Sequence, residues 1–195
     1  MNAHSLRRAA TVVALGTALT AAVVTPASAA TTVTYPQWQS DVTAVTTPAL
    51  SYIEQRVADD SSTSKDAIVL DIDNTALASY FFSSYPTPAD PPVLAIAQYA
   101  KAHGVKVFFV SARPDLIDPI TEYNLKAVGY PVDGLYSRNP IQLFESIQTF
   151  KTAEREDLES DGWDIIANIG NNLTDLNGGY ADSTWKLPDY NGLLD

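Results

Sequence analysis

The chain has 195 residues, 46% of them hydrophobic and 18% charged, the make-up of an ordinary globular domain rather than a collagenous or disordered chain. Asp and Glu number 23 against 12 Lys and Arg, an excess that repels phosphate backbones and anionic bilayers and so argues against general nucleic-acid or membrane-surface binding. Cysteine is absent and histidine occurs only at His4 and His103, which removes disulfides, thiolate metal sites, cysteine nucleophiles and Ser-His-Asp catalysis.

Residues 1–30 read as an export leader. Arg7 and Arg8 form a positive start, Ala9 to Thr25 are almost wholly Ala, Val, Leu and Thr, and Ala27-Ser28-Ala29 is a small-residue cleavage pattern. The apolar run is Ala-rich and shorter than the roughly 20 residues that a spanning helix needs. Cleavage is expected near Ala29 or Ala30, by the general route or, given the Arg pair, the twin-arginine route. With no cysteine to lipidate, the product is expected to be secreted, free of the membrane, as one domain over residues 31–195.

From Gln37 to Ala58, Trp38, Val42, Val45, Leu50, Ile53 and Val57 recur at mostly helical intervals. A polar break, Asp59 to Lys65, precedes the strand Ala67–Ile72, whose unbroken apolar run suits a sheet covered on both faces. An aromatic, Pro-rich loop (Tyr80 to Pro92) leads to a helix over Val93–His103, which Gly104 ends. A second strand follows at Val105–Val110, then helix at Asp115–Val128 and a turn at Gly129-Tyr130-Pro131. A charged amphipathic helix spans Phe150–Asp161, and a third strand, Trp163–Ile169, runs into Gly170-Asn171-Asn172. Strands alternating with helices predict an α/β fold with a parallel sheet, helices on both faces and an extra N-terminal helix.

In such sheets sites form at the carboxyl ends of strands. Here those ends carry Asp71-Ile72-Asp73-Asn74-Thr75, Ser111-Ala112-Arg113 and Gly170-Asn171-Asn172-Leu173-Thr174-Asp175, with Lys151 in the charged helix between the last two. Two carboxylates one residue apart repel unless a proton or cation lies between them. A hard divalent cation such as Mg²⁺ suits an all-oxygen cluster; two helix-capping aspartates would read the same way. Ser111 and Arg113 could hold a phosphate.

The order of these motifs resembles the haloacid-dehalogenase-like (HAD) superfamily of phosphoryl-transfer enzymes. Ile68-Val-Leu-Asp71-Ile-Asp73-Asn-Thr75 looks like its first motif, Phe108-Phe-Val-Ser111-Ala-Arg113 the second, Lys151 the third and Ile169-Gly-Asn171-Asn-Leu-Thr-Asp175 the fourth. Trp38 in the first helix, Phe150-Lys-Thr-Ala-Glu-Arg155 and Lys186-Leu-Pro188 resemble the secreted acid phosphatase branch, class B-like within subfamily III. The resemblance covers about residues 36–190. It implies a Rossmann-like core and a Mg²⁺-dependent phosphomonoesterase acting on a small phosphate ester. Asp71 would be the nucleophile that forms an aspartyl-phosphate, and Asp73 the acid and then base. Ser111 and Lys151 would hold the transferring phosphoryl group. Thr75, Arg113, Tyr80 and Phe82 are the candidate substrate contacts, the two aromatics as a small apolar wall. Asp71, Asp73 (through its backbone carbonyl), Asn171 and Asp175 are the candidate Mg²⁺ ligands.

The chain departs from the family at one position. Asn171 follows Gly170 where the similar phosphatases usually carry Gly-Asp, so either a neutral amide ligates the metal or Asp175 takes over. A weakened relative that only binds or stores is the alternative reading, as is a phosphotransferase using the same intermediate. Asp71, Ser111 and Lys151 follow one another at intervals of 40 positions, which leaves no room for a large cap domain.

Overall fold

The computed structural model describes residues 32–59 and 65–194; the leader and most of the polar break lie outside the described residues. Helix α1 (Tyr35–Asp59) buries Trp38, Val42, Thr46, Ala49 and Ile53, one stripe at the spacing of a helix face. Val45, Leu50 and Val57 flank that stripe half-buried. Strand β1 (Asp66–Leu70) is buried along its whole length. Helix α2 (Pro91–Ala102) leads to β2 (Lys106–Pro114). A 3₁₀ turn at Asp115–Ile117 opens α3 (Asp118–Ala127). Then come β3 (Gly134–Arg138), a 3₁₀ turn at Gln142–Phe144 and α4 (Ile147–Ser160). Strand β4 (Asp164–Gly170), the short α5 (Leu173–Leu176) and β5 (Thr184–Lys186) follow.

The strands form one sheet in the order β3-β2-β1-β4-β5, and every neighbouring pair is parallel. The expected α/β architecture is therefore present, with two edge strands that hydrophobic patterning did not reveal. Side-chain alternation divides the core into two layers. Ile68, Leu70, Val107 and Phe109 face α1 and α2, whereas Ala67, Val69, Phe108 and Val110 pack with Phe150 and Leu158 of α4. Between β1 and β4 the register slips at Ala67/Ile68, where Ile165 and Ala167 become the successive partners. That extra residue is a bulge, and it leaves Ile166 and Ala167 in the same layer, where simple alternation would have set them on opposite faces.

The chain order reverses at β1, with β2 on one side and β4 on the other. This is the switch point at which parallel sheets open a crevice beyond their strand ends. No segment of domain size interrupts the core: loop 71–90 joins β1 to α2, and α3, β3 and α4 fill the path from β2 to β4.

Candidate active site

A pocket of about 150 Å³ lies in that crevice, lined by Asp71, Asp73, Ser111, Ala112, Ile147, Lys151, Asn171, Asn172, Thr174, Asp175 and Leu194. A liquid water occupies about 30 Å³, so the volume suits a phosphate-sized group with a few waters. Asp71, Asp73, Ser111, Lys151, Asn171 and Asp175 converge here from β1, β2, α4 and the β4–α5 loop.

Lys151 organises the floor. Its Nζ donates to Asp71 Oδ1 at 2.6 Å and to Asp175 Oδ1 at 2.7 Å, and all three side chains are less than one-tenth exposed. Burial and the neighbouring Asp175 push the Asp71 carboxyl above its ordinary range, with Lys151 opposing them. Burial alone would lower the Lys151 ammonium, but the two carboxylates hold it above its ordinary value. A lone buried ammonium would lose its proton; between two carboxylates it keeps it.

Asp175 is fixed through both oxygens. Oδ1 takes Lys151, and Oδ2 accepts the Asn172 N–H at 2.8 Å while the Asn172 side chain caps α5 in return, a reciprocal capping box. Asp175 is thus a bridge between Lys151 and the loop backbone. Asn171 gives Nδ2 to the Leu194 carbonyl at 3.2 Å and takes the Thr75 hydroxyl on Oδ1 at 3.4 Å. Its own carbonyl accepts from Lys186 Nζ, and Leu187 N–H reaches Gly170 O at 2.8 Å, so Lys186-Leu187 ties this loop to β5.

Asp73 is held by a different cation. Arg113 grips it with two parallel bonds, Nε to Oδ2 at 2.8 Å and Nη2 to Oδ1 at 2.7 Å, and Ser79 adds a third at 2.6 Å. Burial works to raise this carboxyl, but Arg113 and Ser79 prevail and hold it below its ordinary range. The Ser111 oxygen accepts the Arg113 N–H at 3.2 Å, which leaves its hydroxyl hydrogen available to a ligand.

Some expected contacts lie elsewhere. Arg113 is engaged by Asp73 and by the Thr121 hydroxyl and is not among the residues lining the pocket. Thr75 is fully buried and acts on Asn171. Tyr80 and Phe82 do not line the pocket. Phe81 packs on Tyr35 and Trp38 of α1 and Phe82 on Tyr35, with ring centroids 5.0–5.5 Å apart, and Tyr80 meets Phe81 edge-on. Two further residues were not among the expected site residues, although Arg155 stands in the motif quoted above. Leu194 closes one side of the pocket, a contact with no local signal. Arg155, one turn beyond Lys151 on α4 and fully buried, donates to the carbonyls of Asp175, Asn177 and Gly179 at 2.6–3.0 Å; its spacing from Lys151 was the available clue.

Among the described residues, no three His, Cys, Asp or Glu side chains form a metal-binding group. The reason is visible in the geometry: Lys151 lies between two of the carboxylates, Arg113 holds the third, and residue 171 is an amide.

Comparison with known proteins agrees with this architecture. The stem 28 kDa glycoprotein of Glycine max is 32% identical over 120 residues, which cover 60% of this chain and 47% of that protein. A stem 31 kDa glycoprotein of the same plant is 27% identical over 176 residues, covering 78% and 68%. The chain thus spans about half the length of the first of these relatives. Among solved structures, the class C acid phosphatase from Bacillus anthracis superposes with a TM-score of 0.58 at 22% identity, over 74% of this chain and 67% of that one, a likeness of fold. A tungstate-bound form of that enzyme matches equally well. The sequence profile of one family matches residues 2–193, and the chain belongs to it: the HAD superfamily, subfamily IIIB (acid phosphatase).

Proposed function

We propose that the protein is an exported phosphomonoesterase that hydrolyses small phosphate esters through an aspartyl-phosphate on Asp71, with Mg²⁺ as cofactor. The observation that carries this reading is the buried Asp71–Lys151–Asp175 bridge at the switch point, in a chain of the acid phosphatase family.

Asp71 commits Oδ1 to Lys151, and among the described residues no hydrogen bond reaches its Oδ2. That oxygen would attack phosphorus, forming an acyl-phosphate bond as the ester P–O bond breaks and the alcohol oxygen leaves with the electron pair. Lys151, 2.6 Å from the nucleophile, offsets the charge gathered there, and the Ser111 hydroxyl donates to a phosphoryl oxygen. Arg113 holds Asp73 ionised, the form that takes a proton from water when the acyl-phosphate is hydrolysed. To protonate the leaving alcohol in the first half, Asp73 must gain a proton and loosen its grip on Arg113.

The donor set fits Mg²⁺. Asp71 Oδ1, which keeps a lone pair beside its Lys151 bond, the Asp73 carbonyl and Asn171 Oδ1 would supply oxygens from two strand ends, and Mg²⁺ keeps several waters beside one or two carboxylates and a substrate phosphate. Asp175, with both oxygens engaged, would act on the metal site only indirectly. The cation, when bound, neutralises charge on the transferring phosphoryl group.

Export rests on the leader pattern. The described residues contain no helix long and apolar enough to cross a membrane, and the relatives' names as stem glycoproteins fit a secretory route.

The test is hydrolysis of an aryl phosphate with Mg²⁺, then with chelator, in the wild type and Asp71→Asn. Metal-dependent turnover that vanishes in the variant is expected; equal turnover in both would remove the covalent mechanism. A binding or storage role is the second reading, favoured by Asn171, and absence of turnover with retained phosphate binding would select it.

A further inference from the structure

We infer that the backbone carbonyl of Leu194 is a positioning group for the Asn171 side chain, fixing which end of that amide is offered to the pocket. The inference rests on the reading of Asn171 as a neutral metal ligand. An amide has two ends of similar size, and only the oxygen can ligate a cation. With Nδ2 donated to Leu194 O at 3.2 Å, Oδ1 is the end left on the side of Thr75, whose hydroxyl it accepts. The same carbonyl takes Asn74 Nδ2 at 2.7 Å, so one acceptor joins the loop after β1 to the loop after β4.

The segment that delivers this carbonyl is built for the purpose. Tyr190, Asn191 and Gly192 have φ of 53°, 59° and 83°. Left-handed backbone is costly for the two non-glycine residues and persists only where surrounding contacts enforce it. Those contacts are present. Tyr190 donates its hydroxyl to Asp41 of α1 at 2.6 Å, Leu194 N–H reaches Asp189 O at 3.2 Å, and the Leu194 side chain is 1% exposed within the core. The chain therefore hooks back into the pocket at a fixed depth.

The pairing also explains why an amide suits position 171 in this protein. A carboxylate there would set an oxygen without a proton against the Leu194 carbonyl, two acceptors at hydrogen-bond distance. Asn171 and the hook are complementary, whereas a carboxylate would need the hook displaced but would present an oxygen whichever way it turned.

The test compares four full-length proteins: wild type, Leu194→Gly, Asn171→Asp and the double variant, with Leu194→Met as the conservative control. Mg²⁺ binding is read by calorimetry. Leu194→Gly removes the buried anchor without adding charge. It is expected to weaken Mg²⁺ binding about two- to tenfold, the factor that one net hydrogen bond is worth, in the Asn171 background and not in the Asn171→Asp background; Leu194→Met retains wild-type affinity. An equal loss in both backgrounds, or none in either, overturns the inference while leaving the metal reading intact. Absence of Mg²⁺ uptake by the wild type overturns the metal reading, and the inference with it. In metal-free protein the Asn171 side-chain NH₂, assigned by its loss in Asn171→Asp, should exchange slowly with solvent in the wild type and rapidly in Leu194→Gly. Rapid exchange in the wild type would overturn the inference even if the glycine variant failed to fold.

Discussion

Gly170 and Asp175 stand so close that a β-carbon on Gly170 would lie 2.5 Å from Asp175 Oδ2 and from its Cβ. The glycine that ends β4 is there to admit a carboxylate, and the carboxylate in turn holds Lys151. Because Asp175 is buried and bonded through both oxygens, it cannot swing aside as a free side chain would. Gly170→Ala should cost about 1–3 kcal/mol by overpacking and lower the phosphatase rate by displacing Asp175. Thermal melting and aryl phosphate kinetics read the two effects. A variant equal to wild type in both would mean that the loop repacks without touching Lys151.

Lys151 and Asp71 separate stability from chemistry. Lys151→Met leaves Asp71 and Asp175 facing each other without a cation, and breaking a buried pair in this way costs about 3–5 kcal/mol. Asp71→Asn removes one of two like charges and leaves Lys151 paired with Asp175, so its melting temperature should be at or above that of the wild type while turnover is lost. Denaturant unfolding of the two variants side by side checks the contrast; a destabilised Asp71→Asn would mean that the bridge depends on both carboxylates.

How much of this was legible depends on the range of each contact. Strands β1, β2 and β4 announced themselves because burial on both faces demands unbroken apolar runs, as in Ile68-Val-Leu and Phe108-Phe-Val. β3 and β5 are edge strands with half-exposed residues, and three-residue β5 exists only because β4 offers it a ladder. The polar groups at strand ends were readable from the sheet rule alone, and they do meet in one pocket. The partners of those groups were not. Phe82 looked like a pocket wall because its partner, Tyr35, lies more than forty residues away, and Tyr80 because it rests on Phe81, whose own partners are Tyr35 and Trp38. Arg113 looked like an anion-binding residue because its grip on Asp73 spans forty positions. The Leu194 carbonyl has no side-chain signature at all.

Arg113 sets the protonation state of Asp73. With both bonds gone in Arg113→Met, burial is opposed mainly by Ser79, and the Asp73 carboxyl must rise. If its ionised form takes the proton from water, the acid limb of the pH–rate profile should move to higher pH in the variant. Steady-state rates from pH 3 to pH 8 test this. An unmoved acid limb would assign that limb to another group.

Asp90 gives the fold a pH dependence of its own. It precedes α2, where a carboxylate usually caps a helix, but Pro91 and Pro92 carry no N–H and the side chain makes no capping bond. Its side chain is fully buried. Gln39 Nε2 donates to Oδ1 at 2.6 Å, and among the described residues Oδ2 has no partner. The titratable groups facing it are neutral phenols rather than cations: Tyr35 on α1 and Tyr130 after α3, both raised by burial and by its charge. Burial accordingly pushes the Asp90 carboxyl up to about 7, with Gln39 opposing. The unfolded chain releases this proton near its ordinary 3.8 and the folded one near 7. Stability is therefore fully present below 3.8, declines as pH rises, and is lost by the time pH passes 7, to the extent of at most about 4 kcal/mol. Asp90→Asn keeps the Gln39 bond and the shape but cannot ionise. It should match the wild type near pH 4, where both side chains are neutral, and exceed it progressively towards pH 8. Urea unfolding at four or five pH values gives both curves. Parallel curves, with the same offset at every pH, would mean that Asp90 titrates alike in the folded and unfolded chain and that α1 and α2 meet around an ionised carboxylate after all.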